Sequence, residues 1–309
     1  MTVSPIPSSP VLDKVAIFGV GLIGGSFALA LRRAGAVRQI VGVGRSTAPL
    51  ARAHELGIID VASVSVEQAV EHADLILIAA PVAQTGAILR AIEPHLEPGT
   101  VVTDAGSTKS DVVAAARAAL GARVSQFVPG HPIAGRESNG PDAALVNLYV
   151  GKKAVLTPLP ENPAASVERV AAAWRSCGAI IHRLTPQQHD QVFAAVSHLP
   201  HLLAYALVDE LAQRQDAATL FDYAASGFRD FTRIAGSSPE MWRDIALANQ
   251  PALLAELDAY LAQLVQLRQL LAHSDGNGLA AVFGNAQHAR QEWARMIEAA
   301  EQQQTQGGD

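Results

Sequence analysis

Cysteine is almost missing: Cys177, alone among 309 residues, excludes an internal disulfide framework and any Cys-rich metal site. By itself it reads as a small buried residue. Long Lys/Arg runs are missing too, and the net charge is −6 with a pI near 5.9. That balance sets aside nucleic acid and anionic membrane as partners. No apolar stretch approaches membrane-spanning length. The Pro/Ser-rich lead, Met1 to Asp13, lacks the apolar segment of a signal peptide and reads as disordered. The tail from Gln302 to Asp309 is expected to fray. A soluble cytoplasmic enzyme is the expectation, with two domains because 309 residues are long for one core.

What is present begins with a glycine turn. The β-like run Lys14–Phe18 feeds Gly19-Val20-Gly21-Leu22-Ile23-Gly24-Gly25-Ser26, and an Ala/Leu helix follows. Gly19 permits a tight turn, Gly21 lets the backbone approach a pyrophosphate, and Gly24 allows close helix–sheet packing. The helix N-terminus offers free N–H groups and a positive dipole to phosphates. A strand before the motif and a helix after it are the context it requires. The segment is expected to bind NAD or NADP through Gly19, Gly21, Leu22, Ile23 and Gly24, with Pro81 after a later strand.

The first half alternates short apolar runs with helical segments. Ile40–Val43, Leu75–Ala80 (stopped by Pro81), Val101–Asp104, Phe127–Val128 and Ala154–Thr157 read as further strands. Continuous apolar runs separated by helices predict a parallel sheet covered on both faces. A helix over Ala164–Arg175 and an edge strand at Ala179–Ile181 close this part. At Thr185-Pro186-Gln187-Gln188 the texture changes, with an N-cap, a Pro at the first helical position and a capping-box Gln. Beyond it only helix patterns occur. Leu253, Leu257, Tyr260, Leu264, Leu267 and Leu271 form one apolar stripe, fit for core packing or for a subunit contact. The predicted fold is α/β: a Rossmann-type dinucleotide-binding domain over 12–185, then an all-α domain over 186–309.

Three clusters carry candidate chemistry. Two fall where a dinucleotide fold puts its ligands, beyond strand C-termini: Asp104-Ala105-Gly106-Ser107-Thr108-Lys109 and Gly130-His131-Pro132-Ile133-Ala134-Gly135-Arg136-Glu137. The third is helical: Ser197-His198-Leu199-Pro200-His201, then Gly227-Phe228-Arg229-Asp230-Phe231-Thr232-Arg233. His131, in a Gly/Pro-bounded loop, has the side chain of a general base. Ser107 on a neighbouring loop is either its companion or a helix N-cap. His198 and His201 lie one turn apart, but no carboxylate or Cys sits at ligand spacing, so no metal is expected. Arg233, in a Phe-rich segment that reads as buried, needs an anion, either Asp230 or a substrate carboxylate.

Taken in order, GxGLIGGS, the DxxSxK loop, GHPIAG, SHLPH and GFRDFTR followed by Pro239-Glu240-Met241-Trp242 resemble the prephenate/arogenate (cyclohexadienyl) dehydrogenases of tyrosine biosynthesis. The resemblance runs from Val15 to about Leu271. It implies a nucleotide domain, a helical domain through which two chains dimerise, and a site in the cleft between the domains. It further implies oxidative decarboxylation: hydride leaves the carbinol ring carbon for nicotinamide, a base takes the hydroxyl proton, and CO2 loss aromatises the ring. Carried over residue by residue, His131 is the base and Ser107 its hydrogen-bonding partner near the nicotinamide. Arg233 grips the substrate carboxylate, and His201, with Ser197 and His198, lines the pocket. Glu137 and Asp230 form a polar gate, and Trp242 contacts the side-chain end. The length leaves no room for a regulatory or mutase domain, so any tyrosine inhibition is expected as competition in the site.

The second strand ends in Val43-Gly44-Arg45-Ser46-Thr47, without the acid that usually holds the ribose of NAD. Arg45 can stack on adenine and pair with a 2′-phosphate, with Ser46 and Thr47 donating, so NADP is expected ahead of NAD. Two other readings stay open from the residues. One is a 3-hydroxy-acid dehydrogenase, a class that relies on a lysine base in its helical domain. The other is a dinucleotide-sensing binding protein, which has no need of a base facing the nicotinamide.

Overall fold

The computed structural model describes residues 12–136 and 138–306, with side chains as far as 297. The Pro/Ser-rich lead before Leu12, Glu137 and the last three residues lie outside the described residues. Six strands form one parallel sheet: β1 (Leu12–Phe18), β2 (Val37–Val43), β3 (Val61–Ser63), β4 (Leu75–Ile78), β5 (Val101–Asp104) and β6 (Phe127–Val128). Their order is β3-β2-β1-β4-β5-β6. The sequence of strands reverses between β1 and β4, where an open parallel sheet makes a crevice beyond its C-terminal edge.

Why these runs become strands is visible in what each face buries. Ile17 and Leu77 point into a core with Phe27, Leu31 and Trp174, whereas Ala16, Phe18, Ile76 and Ile78 point into another with Leu89 and Phe127. Alternate residues thus serve opposite faces, and a strand covered on both reads as unbroken apolar sequence. Cys177 is buried in the first of these cores, as expected.

The expectation of a single sheet fails after residue 128. Three more strands, β7 (Gly130–Pro132), β8 (Lys153–Leu156) and β9 (Ile180–Arg183), form a separate sheet, antiparallel between β7 and β8 and parallel between β8 and β9. Pro129 has no N–H to extend β6. The next amide, that of Gly130, is taken by the Asp104 carboxylate at 3.1 Å instead of a strand neighbour. His131 therefore sits in a short strand and not in a loop.

Among the described residues the last strand ends at Arg183, and Thr185 opens the helices with the expected capping box to Gln188. Helix Pro186–Phe193 passes through a π-helical turn, Ala194–His198, into helix Leu199–Ala212. A single inserted residue of this kind shifts the helical face and is frequent at functional sites. Within the combined run Pro186–Ala212, 27 residues long, an 18-residue window reaches a mean hydropathy of 1.3, so by length and composition the run is long and apolar enough to cross a membrane. It corrects the expectation that no stretch has that length; the fusion of two helices through the π turn is what lengthens it. The same run buries His189, Asp190 and His198 in a polar network anchored to the parallel sheet's loops, described below.

The chain divides into two compact units, Met1–Leu253 and Leu254–Asp309. Helices up to Leu253 belong with the sheets. In the second unit, helix Gln250–Ala272 continues, turns at Ser274, and is followed by helix Gly276–Gln306. The tail expected to fray is helical as far as Gln306. Leu254, Leu261, Leu264, Val265, Leu271, Phe283, Trp293 and Met296 are all exposed. Of the expected stripe, Leu253 is buried, Leu257, Tyr260 and Leu267 are half-buried, and Leu264 and Leu271 face solvent.

Candidate active site

The glycine turn follows β1 at the C-terminal edge of the sheet. Gly19 has φ +98°, and a Cβ there would meet the Ala79 carbonyl oxygen at 2.6 Å. A Cβ on Gly24 would lie 2.1 Å from the Gly19 carbonyl oxygen and 2.8 Å from Ile17. Gly21 differs, because its nearest neighbour would be the Gly140 nitrogen at 4.0 Å. Sterics inside the protein therefore explain Gly19 and Gly24, while open space lies over Gly21. Helix Leu22–Arg33 starts there with no side-chain cap and no acid in its first turn. Uncapped N–H groups beside an open cradle suit a pyrophosphate, so the residues present fit a dinucleotide. Arg45 and Ser46 are exposed beyond β2, Ser46 as the N-cap of helix Thr47–Glu55, and Pro81 is exposed beyond β4.

The second feature is a chain of three side chains. His131 Nδ1 lies 2.9 Å from His189 Nε2, and His189 Nδ1 lies 2.9 Å from Asp190 Oδ1. Asp190 also accepts from the backbone N–H of Lys109 at 2.8 Å and of Ser110 at 2.7 Å. Phe193 packs edge-on to His131, with centroids 5.0 Å apart. Below them, the buried Lys109 ammonium pairs with Asp104, which also accepts from Gly106 N–H at 2.8 Å and from Gly130 N–H. Asp104 thus ties the Ser107 loop to the start of β7. Burial, then the neighbouring His189, Lys109 and His198, push His131 well below the ordinary imidazole value. It is neutral at pH 7, the state a base requires.

The π turn presents the third group. His198 is buried, its Nδ1 3.0 Å from the Asn249 amide nitrogen, which also donates to the Asp190 carbonyl at 2.8 Å. Burial, then His189, lower its pKa to about 4. The Asp190 charge and then the Ser107 backbone partly offset this, and His198 Nε2 makes no hydrogen bond among the described residues. His201 Nδ1 donates to the Ser197 carbonyl at 2.8 Å, and its ring stacks on Trp242 with centroids 3.5 Å apart. Trp242 Nε1 is likewise buried without a partner among the described residues. His198 and Trp242, with Leu202, Tyr205, Pro239 and Arg243, line a cavity of about 240 Å³. A hollow of roughly 150 Å³ already accepts a benzene ring, and two unpaired donors beside this one suit a ligand with acceptor oxygens.

Other expected site residues fall as follows. Ser107 is half-buried beyond β5, and among the described residues no hydrogen bond joins it to His131; the His131 ring is held by His189 instead. Arg233 begins a short turn, Arg233–Gly236, and is exposed, as are Asp230 and Phe231, so the segment that read as buried is on the surface. Asp230 lies 3.7 Å from Arg229. Glu137, the other gate residue, is outside the described residues. Sequence reasoning missed His189, Asp190 and Asn249, and gave no role to Asp104 and Lys109. Only the last two carried a signal, a polar pair five residues apart straddling a strand end.

Comparison with known proteins fits this layout. Residues 27–183 match the family described as prephenate dehydrogenase, nucleotide-binding domain, and residues 185–285 match prephenate dehydrogenase, dimerization domain. Cyclohexadienyl dehydrogenase of Zymomonas mobilis is 36% identical over 91% of this chain and 96% of its own. Prephenate dehydrogenase of Bacillus subtilis is 35% identical over 90% of this chain and 75% of its own. The crystal structure of prephenate dehydrogenase from Aquifex aeolicus with hydroxyphenyl propionate and NAD+ superposes with a TM-score of 0.85 at 37% identity, covering 91% of this chain and 98% of that one. Synechocystis arogenate dehydrogenase gives a TM-score of 0.77 at 31% identity, over 91% and 99%. With both halves matched, and with the glycine cradle after β1 and His131 just after β6, the chain belongs to the prephenate dehydrogenase family of NAD(P)-dependent oxidoreductases.

Proposed function

We propose that this chain converts prephenate to 4-hydroxyphenylpyruvate and CO2, with His131 as the base. The carrying observation is a neutral His131 held by hydrogen bonds through His189 to Asp190, just beyond the C-terminal end of β6, as the glycine cradle lies beyond that of the parallel strand β1. When bound, the nicotinamide supplies the hydride acceptor. His131 takes the hydroxyl proton as the carbinol carbon becomes a carbonyl, and returns it when the ring carboxylate leaves and the ring aromatises. Aromatisation drives the step, so the protein's tasks are orientation and one proton transfer. Ser107, His198, His201 with Ser197, and Trp242 form the pocket wall, with Asp230 at its mouth. Residues 12–185 serve as nucleotide domain and 186–309 as helical domain, and the exposed apolar residues of the last two helices pair two copies. Incubation with prephenate or arogenate while following reduced-nicotinamide absorbance tests the reaction and its substrate; no turnover of either sinks it.

The cofactor is proposed to be NADP, held at its 2′-phosphate by Arg45 and Ser46 on the acid-free end of β2. The expected result is a higher kcat/KM with NADP than with NAD, reduced by Arg45→Ala. A clear NAD preference in the unaltered enzyme rules this out.

Arg233 is proposed to anchor a substrate carboxylate through two parallel hydrogen bonds. Charge-assisted bonds are worth roughly 1.5–3 kcal/mol each, and about 1.4 kcal/mol is a factor of ten. Arg233→Gln should raise KM at least about tenfold with a smaller effect on kcat, and Arg233→Lys should restore part of the affinity. Lowered thermal stability with unchanged KM would assign Arg233 to the fold instead.

A further inference from the structure

We propose that His189 and Asp190 are positioning residues that hold His131 with its proton on Nδ1, leaving Nε2 as the basic lone pair. The inference rests on His131 being the base. It follows from tracing donors and acceptors along the chain. Asp190 receives three hydrogen bonds, from His189 Nδ1 and from the N–H groups of Lys109 and Ser110. Burial pushes this carboxyl up, but the bonds from His189, Ser110 and Lys109 outweigh it and keep the group ionised. An ionised carboxylate only accepts, so His189 Nδ1 must donate.

His189 is fully buried, and burial lowers its pKa although Asp190 opposes this, so its other nitrogen carries a lone pair. That nitrogen, Nε2, lies 2.9 Å from His131 Nδ1 and must accept from it. A neutral His131 that donates through Nδ1 has its second lone pair at Nε2. The reverse arrangement needs an imidazolium at His189, beside the Lys109 ammonium and close to His198, with Asp190 and Asp104 as the facing carboxylates. The same chain assists after proton transfer. An imidazolium at His131 points its Nδ1–H at a nitrogen whose ring is polarised by Asp190, as an aspartate orients and stabilises the histidine of a hydrolase triad.

The test uses the full-length protein labelled with 15N-histidine at pH 8, where these rings are neutral. The His131 signals are identified by their loss in His131→Asn. The expected spectrum shows His131 protonated at Nδ1 and bare at Nε2. His189→Phe keeps the two backbone bonds to Asp190, and should abolish that fixed tautomer and lower kcat at least about tenfold. Asp190→Asn keeps an acceptor oxygen at the Oδ1 position, toward His189 Nδ1 and the Lys109 N–H, and removes the negative charge that polarises the His189 ring. Its kcat should fall at least about tenfold at every pH, with KM little changed and the His131 tautomer retained. Either a wild-type His131 protonated at Nε2, or a His189→Phe enzyme with unchanged tautomer and kcat, overturns the proposal. If His131→Asn is inactive in those cases, the base assignment stands and only the relay is lost. If His131→Asn turns over normally, the base assignment itself is gone.

Discussion

Replacing His131 by Asn is expected to leave the protein folded and dinucleotide binding intact while kcat falls by on the order of 10²–10⁴. Asn can still donate toward His189, and the residue packs in a three-residue strand whose backbone pairs with β8, so the fold has little to lose. What disappears is the imidazole lone pair at Nε2, the proton acceptor of the His131–His189–Asp190 chain. The pH dependence gives a second reading of the same residue. Burial and the neighbouring His189, Lys109 and His198 hold His131 well below 6.5, and the neutral form is the active one. Protonation therefore removes activity only as pH falls well below 6.5, and kcat/KM should be level from there through neutrality. The His131→Asn variant should lack this acid limb altogether. An acid limb centred at or above 6.5 in the unaltered enzyme would assign the titration to another group, and wild-type turnover in the variant would exclude His131 as the base.

How much of this was legible beforehand follows from the distance over which each feature is specified. The glycine turn and the Thr185 capping box were readable because a positive φ at Gly19 and a side-chain cap are local matters. β1 and β4 were readable because burial on both faces leaves unbroken apolar runs. The second sheet was not, since Gly130–Pro132 and Lys153–Leu156 have the same texture as the parallel strands, and only Pro129 hints at the break. His189 and Asp190 read as ordinary helix residues in the sequence. Their roles come from contacts 58 and 81 residues away, with His131 and the Lys109 amide. The burial of the segment around Arg233 was misjudged for the opposite reason. Its Phe neighbours suggested a core, yet Phe231 is 51% exposed.

The largest stability effect is expected from Lys109→Met. The ammonium of Lys109 and the carboxylate of Asp104 have side chains 0% and 1% exposed, so neither can turn to water if its partner goes. Removing one member of such a pair leaves an uncompensated buried charge and costs about 3–5 kcal/mol. For a chain of this size roughly 2–4 °C of melting temperature accompanies each kcal/mol, which makes the loss easy to see in a thermal scan. Met matches the lysine stem in volume, so a packing defect contributes little. Adding Asp104→Asn to Lys109→Met should recover much of the loss, because an amide needs no counter-charge and its oxygen can still accept from the Gly130 or Gly106 amide. A single variant that loses under about 1 kcal/mol, or a double variant no better than the single, would show that the pair does not hold this loop. The activity of the rescued double variant separates the two ends of the tether. Asp104 fixes the Ser107 loop and the start of β7 together, so if stability returns while kcat stays low, the ion pair also aligns His131 for proton transfer.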